Sequence, residues 1–235
     1  MEKQENLKRL IEEADNIVFF GGAGVSTASG IKDFRGKNGL YKEKMDYPPE
    51  YLLSSNCFYQ EPELFFKFYK ENMNTLEYEP NVVHKYLSKL ERIGKLKATV
   101  TQNIDGLHQK AGSKNVYEIH GTIYKNHCVK CHKFYDAQSV FASDGIPKCE
   151  CGGIIKPDVV LYGEMLPPCY NEALLAISKA DLLLVAGTSL TVEPAASLVR
   201  LCQGKLVILN DTKTPYDNLA TLVINAKLED IFANL

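Results

Sequence analysis

The chain has 235 residues, 45% of them hydrophobic, enough to bury a full core as one large domain or as one domain carrying a smaller insert. Its 27 Lys and Arg nearly balance 29 Asp and Glu, which excludes a bulk electrostatic footprint for nucleic acid or an anionic membrane. The most apolar strings, DLLLVAG and NIVFFG, are strand-sized and far short of the ~18 residues of a membrane span, so a soluble protein is expected.

Residues 1–16 (MEKQENLKRLIEEADN) read as an amphipathic helix, too charged for the apolar centre of a signal peptide. Ile17 to Phe20 is a short apolar strand that stops at Gly21-Gly22. Asn81 to Ile93 carries apolar residues at the helical period and is stopped by Gly94, before a strand over Lys97 to Gln102 and a strand-like stretch over Val116 to His120. The last third predicts a helix over Asn171–Lys179, a strand over Leu182–Ala186, a helix over Pro194–Cys202, strands over Leu206–Leu209 and Leu222–Ile224, and a helix from Leu228. This alternation predicts an α/β fold with a parallel sheet covered on both faces. The segment 126–157 breaks the rhythm. It is rich in Cys, Gly and Lys and poor in apolar residues, and it is expected to be a small inserted module between 1–125 and 158–235.

Of seven cysteines, Cys128, Cys131, Cys149 and Cys151 crowd into that module, while Cys57, Cys169 and Cys202 are scattered. C-V-K-C followed by C-E-C-G-G has the spacing of a four-thiolate zinc knuckle, and Gly152-Gly153 permits the tight turn it needs. Four protein ligands leave no place for water, so such a zinc is structural, and it adds folding energy to a segment with little core. Two redox pairs are the competing reading, weakened by the placement of both pairs in one polar segment. His127 and His132 flank the first pair as bystanders or as a replacement ligand.

Three predicted strands end in turns of small or polar residues: G-G-A-G-V-S-T after Phe20, T-Q-N-I-D-G-L-H after Val100 and A-G-T-S-L after Val185. In a parallel sheet such ends converge on one crevice, and small residues followed by helix N-termini suit phosphate. Glu193-Pro194 suits the first turn of such a helix. Singly each is an ordinary tight turn; together they point to a dinucleotide. The fingerprint of hydride-transfer enzymes, G-x-G-x-x-G, is not met, because Thr27 stands where the third glycine is due. Asn103, Asp105 and His120 add groups that a phosphate cradle does not require. They read either as a cap and a structural histidine or as a hydrogen-bonding pair and a base that titrates near neutral pH.

With G-A-G-V-S-T-A-S-G-I-K-D-F-R-G, T-Q-N-I-D-G-L-H, E-I-H-G-T, the four cysteines, K-P-D-V-V-L-Y-G-E-M-L-P, G-T-S-L-T-V-E-P-A-A and V-I-L-N in order from about Ile17 to Ile224, the chain resembles the sirtuins, NAD-dependent protein-lysine deacylases. The resemblance implies a Rossmann-like domain with a small zinc module. It implies NAD consumed as co-substrate, one structural Zn²⁺, and acetyl-lysine proteins or peptides as partners, with no direct nucleic acid and no membrane. A cytoplasmic monomer is expected.

Carried onto this sequence, the resemblance places Gly22, Ala23, Gly24, Ser26 and Thr27 at the phosphates and ribose, and Asp33, Phe34 and Arg35 on a mobile cofactor loop. Gln102, Asn103, Ile104 and Asp105 take the nicotinamide half; Gly187, Thr188 and Ser189 the phosphates or adenine ribose; Asn210 and Asp211 the adenosine. It makes His120 the general base, with Asn103 and Asp105 beside it in the chemistry. In that chemistry nicotinamide leaves, the acyl oxygen attacks the ribose to give an alkylimidate, and the acyl group migrates to ADP-ribose. A peptide is expected to lie extended between Gly163-Glu164-Met165-Leu166 and Leu190-Thr191-Val192, with Val160 and Tyr162 lining the lysine tunnel; without the resemblance, K-P-D-V-V-L-Y reads as an ordinary strand.

Three departures from the family pattern stand out: Lys32 where the family usually has Pro, Gly21 where Thr is common, and a C-x-C second pair. Members that take acidic acyl groups have Tyr-x-x-Arg after the cofactor loop. Here Tyr41 is followed by Lys44, which favours an uncharged acyl group. Competing readings are mono-ADP-ribosyl transfer, removal of longer or acidic acyl groups, and a zinc-ribbon binding module or NAD sensor without turnover.

Overall fold

The computed structural model describes residues 2–36, 39–42 and 44–235. In chain order the elements are α1 (Glu2–Glu13), β1 (Ile17–Gly21), α2 (Pro49–Leu52), α3 (Ser55–Gln60), α4 (Pro62–Met73), α5 (Val82–Arg92), β2 (Leu96–Thr101), α6 (Leu107–Lys110), β3 (Val116–Glu118) and β4 (Gly121–Cys128). They continue with β5 (Phe134–Tyr135), α7 (Ala137–Phe141), β6 (Ile155–Val159), α8 (Cys169–Ser178), β7 (Leu182–Ala186), β8 (Lys205–Leu209), β9 (Leu222–Ile224) and α9 (Leu228–Ala233).

Six strands form one sheet in the order β3-β2-β1-β7-β8-β9, and every neighbouring pair is parallel. The expected α/β sheet is therefore present. Its strands are apolar on both faces because both are covered. Ile17, Phe19, Leu182, Leu184, Val207 and Leu209 face α1, α5 and α9, while Val18, Phe20, Leu183, Val185, Leu206 and Ile208 face α8 and the 195–201 segment. Strand order reverses between β1 and β7, where a doubly wound sheet opens a crevice at its carboxyl edge.

The helix expected over Pro194–Cys202 is instead a 3₁₀ segment, Ala195–Leu201. A threefold turn aligns residues i and i+3, and the buried pairs are Ala195/Leu198 and Ala196/Val199. The segment 49–73, in which the sequence shows no plain period, folds as α2, α3 and α4. Pro49 and Pro62 begin two of these helices, and Ser54 Oγ accepts the Cys57 N–H at 3.0 Å as a cap.

These helices pack on a second, antiparallel sheet, β5-β4-β6, which carries the cysteine module. Phe58, Phe65, Phe66 and Tyr69 share one core with Cys128, Val140, Cys149 and Ile155. The Phe65 and Tyr69 rings stack at 5.6 Å. The cysteine module thus rests on an aromatic core contributed by Phe58 to Tyr69, well before it in the chain.

Behind the β1 and β2 ends, His84 of α5 and His108 of α6 lie ring to ring at 4.8 Å, with Phe19 against His108 at 5.9 Å. Burial lowers the His84 imidazole to about 4, and burial with the neighbouring His84 lowers His108 to about 3. Both values lie below the ~6.5 of an unfolded chain, so their contribution to stability is complete above that pH and is lost as pH falls towards 4. Urea unfolding between pH 7.5 and 5 is expected to show falling stability. His84→Gln is expected to flatten that slope, and an unchanged slope in the variant contradicts the assignment.

Candidate active site and metal cluster

Two glycine turns meet at the point where strand order reverses. Gly24 N–H donates to Gly187 O at 2.8 Å, and Gly22 N–H to Ala186 O at 3.2 Å. A Cβ on Gly24 would lie 2.7 Å from Gly187 Cα, and one on Gly187, whose φ is +60°, would lie 2.6 Å from Gly24 C. Only glycine on both sides permits this approach. The β2 end joins them through Gln102, whose N–H donates to Gly21 O at 2.9 Å and whose Oε1 accepts the Thr188 hydroxyl at 2.8 Å. Sequence-predicted Gly22, Ala23, Gly24, Gln102, Gly187 and Thr188 are therefore one assembly.

The turn after β1 differs from the expected helix N-terminus. It is two 3₁₀ turns, Ala23–Val25 and Thr27–Ser29, with Ser26 between them. Buried Ser26 Oγ donates to Asp105 Oδ2 at 2.6 Å and accepts from Asn103 Nδ2 at 3.0 Å. Asp105 Oδ1 accepts the Leu107 N–H at 3.0 Å, and Asn103 N–H donates to Thr101 Oγ1 at 3.0 Å. Burial raises the Asp105 carboxyl, with the Ser26 hydroxyl and the Leu107 N–H pulling it back. Thr27 is exposed, and its hydroxyl donates to Gly24 O at 3.0 Å.

His120 follows β3 and stands beside this network through the Gln102 carbonyl, which lies 3.2 Å from His120 Nδ1. A carbonyl only accepts, so Nδ1 carries hydrogen and Nε2 of the neutral ring is left as the basic atom. Burial lowers the His120 imidazole and the Gln102 carbonyl partly offsets it. The group therefore stays neutral, able to accept a proton, at physiological pH.

The remaining predicted residues sit around this centre. Ile104 packs into the small-lobe core, and its carbonyl accepts the Ile123 N–H at 3.1 Å. Ser189 Oγ pairs with Thr191 Oγ1 at 2.8 Å. Asn210, after β8, donates to Thr212 O at 2.8 Å, and Asp211 beside it is exposed. Asp33 Oδ1 accepts the Gly36 N–H at 3.1 Å and closes its own turn. Lys32 is exposed in the irregular stretch before it.

Arg35 donates to the Tyr162 hydroxyl at 3.3 Å, lies over the Tyr41 ring at 4.6 Å and is 3.8 Å from Glu50 Oε1. Phe34 meets Tyr41 edge-on at 5.6 Å, and the Tyr41 and Tyr162 hydroxyls are 3.0 Å apart. Val160 N–H donates to His120 O at 2.9 Å, which ties the predicted tunnel segment to the predicted base. Glu164 is held by Lys156 at 3.0 Å, Gly163 has φ +92°, Leu190 is buried at φ +51°, and Met165 is 91% exposed. Tyr41 was singled out in the sequence only for its place in the Tyr-x-x-Arg comparison, and Glu50 was not singled out at all.

A family model described as Sir2 family matches residues 22–194. The chain belongs to the Sir2 family. It is 54% identical over 231 residues to the NAD-dependent protein deacetylase of Clostridium acetobutylicum, covering 96% of this chain and 94% of that protein. It is 52% identical over 240 residues to the NAD-dependent protein deacetylase of Clostridium perfringens, covering 100% and 98%. A solved Sir2 structure with deacetylated p53 peptide and 3′-O-acetyl-ADP-ribose matches with a TM-score of 0.92 at 40% identity, over 99% of this chain and 96% of that one. A Sir2–p53 peptide–NAD⁺ structure matches with a TM-score of 0.87 at 40% identity, over 98% and 96%.

In this Sir2 chain the four cysteines of the small lobe come together. Cys128 and Cys151 Sγ are 3.4 Å apart, Cys131 and Cys149 Sγ 3.5 Å, and all four sulfurs lie within 4.8 Å of one another. A zinc tetrahedron with ~2.3 Å bonds has edges of about 3.8 Å, so the donor set fits one Zn²⁺. Gly153 permits the closing turn, since a Cβ there would lie 2.5 Å from Cys128 Sγ. The second pair closes on the first although it is C-x-C. His127 is engaged elsewhere, with Nδ1 2.8 Å from Asp158 Oδ1.

About one zinc per chain is expected by elemental analysis, and Cys131→Ser is expected to lower both zinc content and the thermal midpoint; a metal-free protein of equal stability contradicts this. Gly187→Ala is expected to weaken NAD binding by tenfold or more, as read by calorimetry, because the added methyl must separate the two turns.

Proposed function

We propose that this Sir2 protein is an NAD-dependent protein-lysine deacetylase. It transfers the acyl group of acetyl-lysine to ADP-ribose, with uptake of water and release of nicotinamide, the free lysine and O-acetyl-ADP-ribose. The observation that carries the reading is the placement of His120. Its Nδ1 is committed to the Gln102 carbonyl, and Gln102 itself is bonded to both glycine turns. A base held in one tautomer beside a dinucleotide cradle has no use in a passive NAD sensor. The relatives named NAD-dependent protein deacetylase and the Sir2 structures with peptide, NAD⁺ and acetyl-ADP-ribose support the same activity.

In this reading Asn103 and Asp105 receive the nicotinamide and its ribose. The buried Asp105 carboxyl faces the positive charge that develops as the glycosidic bond breaks, and the Ser26 and Leu107 donors oppose the rise that burial imposes on it. His120 Nε2 then takes a proton from a ribose hydroxyl as the acyl group migrates. Val160 and Tyr162 line the lysine stem, and a peptide lies along Gly163–Glu164 and Leu190. Arg35 is already paired with Glu50 and covered by Tyr41, and Lys44 is exposed, which supports an uncharged acyl group over an acidic one. The seven cysteines are all free of disulfides, in keeping with a cytoplasmic protein. No helix among the described residues is long and apolar enough to cross a membrane.

Purified protein with NAD and an acetyl-lysine peptide is expected to release nicotinamide and free-lysine peptide in equal amounts. His120→Ala is expected to lose roughly 10²–10⁴-fold in both. The acid limb of kcat/KM is expected below the ordinary imidazole value of about 6.5, because burial lowers His120. Nicotinamide release without deacetylation points to ADP-ribosyl transfer, and NAD binding with no release overturns the enzymatic reading.

A further inference from the structure

The first turn of α5 holds a side chain with more donors than helix capping uses. Asn81 precedes the helix, and its Oδ1 accepts the Val83 N–H at 2.9 Å, which is the whole task of an N-cap. Its amide nitrogen does something else. Asn81 Nδ2 donates to Val25 O at 2.8 Å and to Ser29 Oγ at 2.9 Å. Val25 ends the first 3₁₀ turn of the cofactor cradle and Ser29 ends the second, so one carboxamide spans both sides of Ser26. Asp caps a helix as well as Asn does but has no hydrogen to donate.

The same turn reaches the nicotinamide half. Asn81 N–H donates to His84 Nδ1 at 3.3 Å, and the His84 ring packs at 4.8 Å on His108, three residues beyond Asp105. The opening of α5 thus touches the segment carrying Ser26 on one side and the segment carrying Asp105 on the other. Ser26 Oγ and Asp105 Oδ2 meet at 2.6 Å between them.

We propose that Asn81 is a positioning residue for the dinucleotide site. Its amide holds Val25 and Ser29 so that Ser26 is presented to Asp105 and Asn103 before NAD arrives. The proposal rests on the NAD-binding reading of the cradle. Without the clamp the cradle must be ordered at the expense of binding, and one ordinary hydrogen bond corresponds to about tenfold in affinity.

The test compares Asn81→Asp with Asn81→Ala, using thermal unfolding, NAD titration by calorimetry and amide hydrogen exchange over residues 25–31. Asn81→Asp, which keeps the cap and loses only the two donated bonds, is expected to lose less of the thermal midpoint than Asn81→Ala, to bind NAD about tenfold more weakly and to exchange faster at 25–31 in the absence of NAD. Asn81→Ala, which loses the cap as well, is expected to share those two effects and also to melt earlier. Wild-type NAD affinity and exchange in Asn81→Asp overturn the proposal and leave Asn81 a helix cap. Weaker NAD binding that tracks only the fall in thermal midpoint across the two variants also overturns it. Failure of the wild type to bind NAD defeats the NAD reading itself, a result distinct from these.

Discussion

The hydrogen bond from Gly24 N–H to Gly187 O, 2.8 Å long, is the contact on which the site depends. β1 and β7 are neighbours in the sheet, yet the chain passes through four other strands between them, β2, β3, β4 and β6, besides the short β5. Their ends can close on each other only if no side chain intervenes. The close approach lets Gln102 reach from β2 across to Thr188 after β7, and the Gln102 carbonyl in turn fixes His120. A side chain at either glycine would displace His120 through this sequence of contacts, although neither glycine touches it.

The missing third glycine of the hydride-transfer fingerprint has its explanation in the same turn. A third glycine lets a long helix pack close behind the phosphates. Here Thr27 begins a second short 3₁₀ turn, and the chain leaves the sheet through Gly30 towards Arg35. Ser26, between the two turns, is directed to the Asp105 carboxylate rather than outwards. The turn therefore both meets the turn after β7 backbone to backbone and supports a buried polar network.

Much of the large sheet was legible because its strands are short, apolar and bounded by glycine or polar residues. Ile17–Gly21 and Leu182–Ala186 match the sequence reading to within a residue, and the four cysteines announced their cluster by spacing. The helices over 49–73 were not legible. Phe65, Phe66, Phe68 and Tyr69 are adjacent or nearly so, so their pattern blurs the helical period, and they face a core completed by β4 and β6 more than fifty residues later. The Pro194–Cys202 helix was read with the wrong pitch because apolar residues three apart suit either helix type; packing against the sheet decides it. At the strand ends, residue types singled out Asn103, Asp105 and His120, which the fold gathers around Ser26 and Gln102. The tautomer of His120 was not legible, because it depends on a carbonyl eighteen residues away.

Arg35 shows how the two lobes share one residue. It sits on the loop assigned to the cofactor, yet its contacts are Tyr41, Glu50 and Tyr162. Tyr162 stands in the segment assigned to the lysine stem, and its backbone is fixed to the small lobe by the bond from its N–H to Leu53 O at 3.0 Å. The Arg35 guanidinium donates to the Tyr162 hydroxyl, lies over the Tyr41 ring and faces the Glu50 carboxylate at 3.8 Å, a combination that holds a cation in place without burying it. Any movement of Arg35 must therefore break contacts with Tyr41, Glu50 and Tyr162, and any repositioning of Tyr162 must disturb Arg35. The two segments are linked by direct contact, with no intervening path of residues.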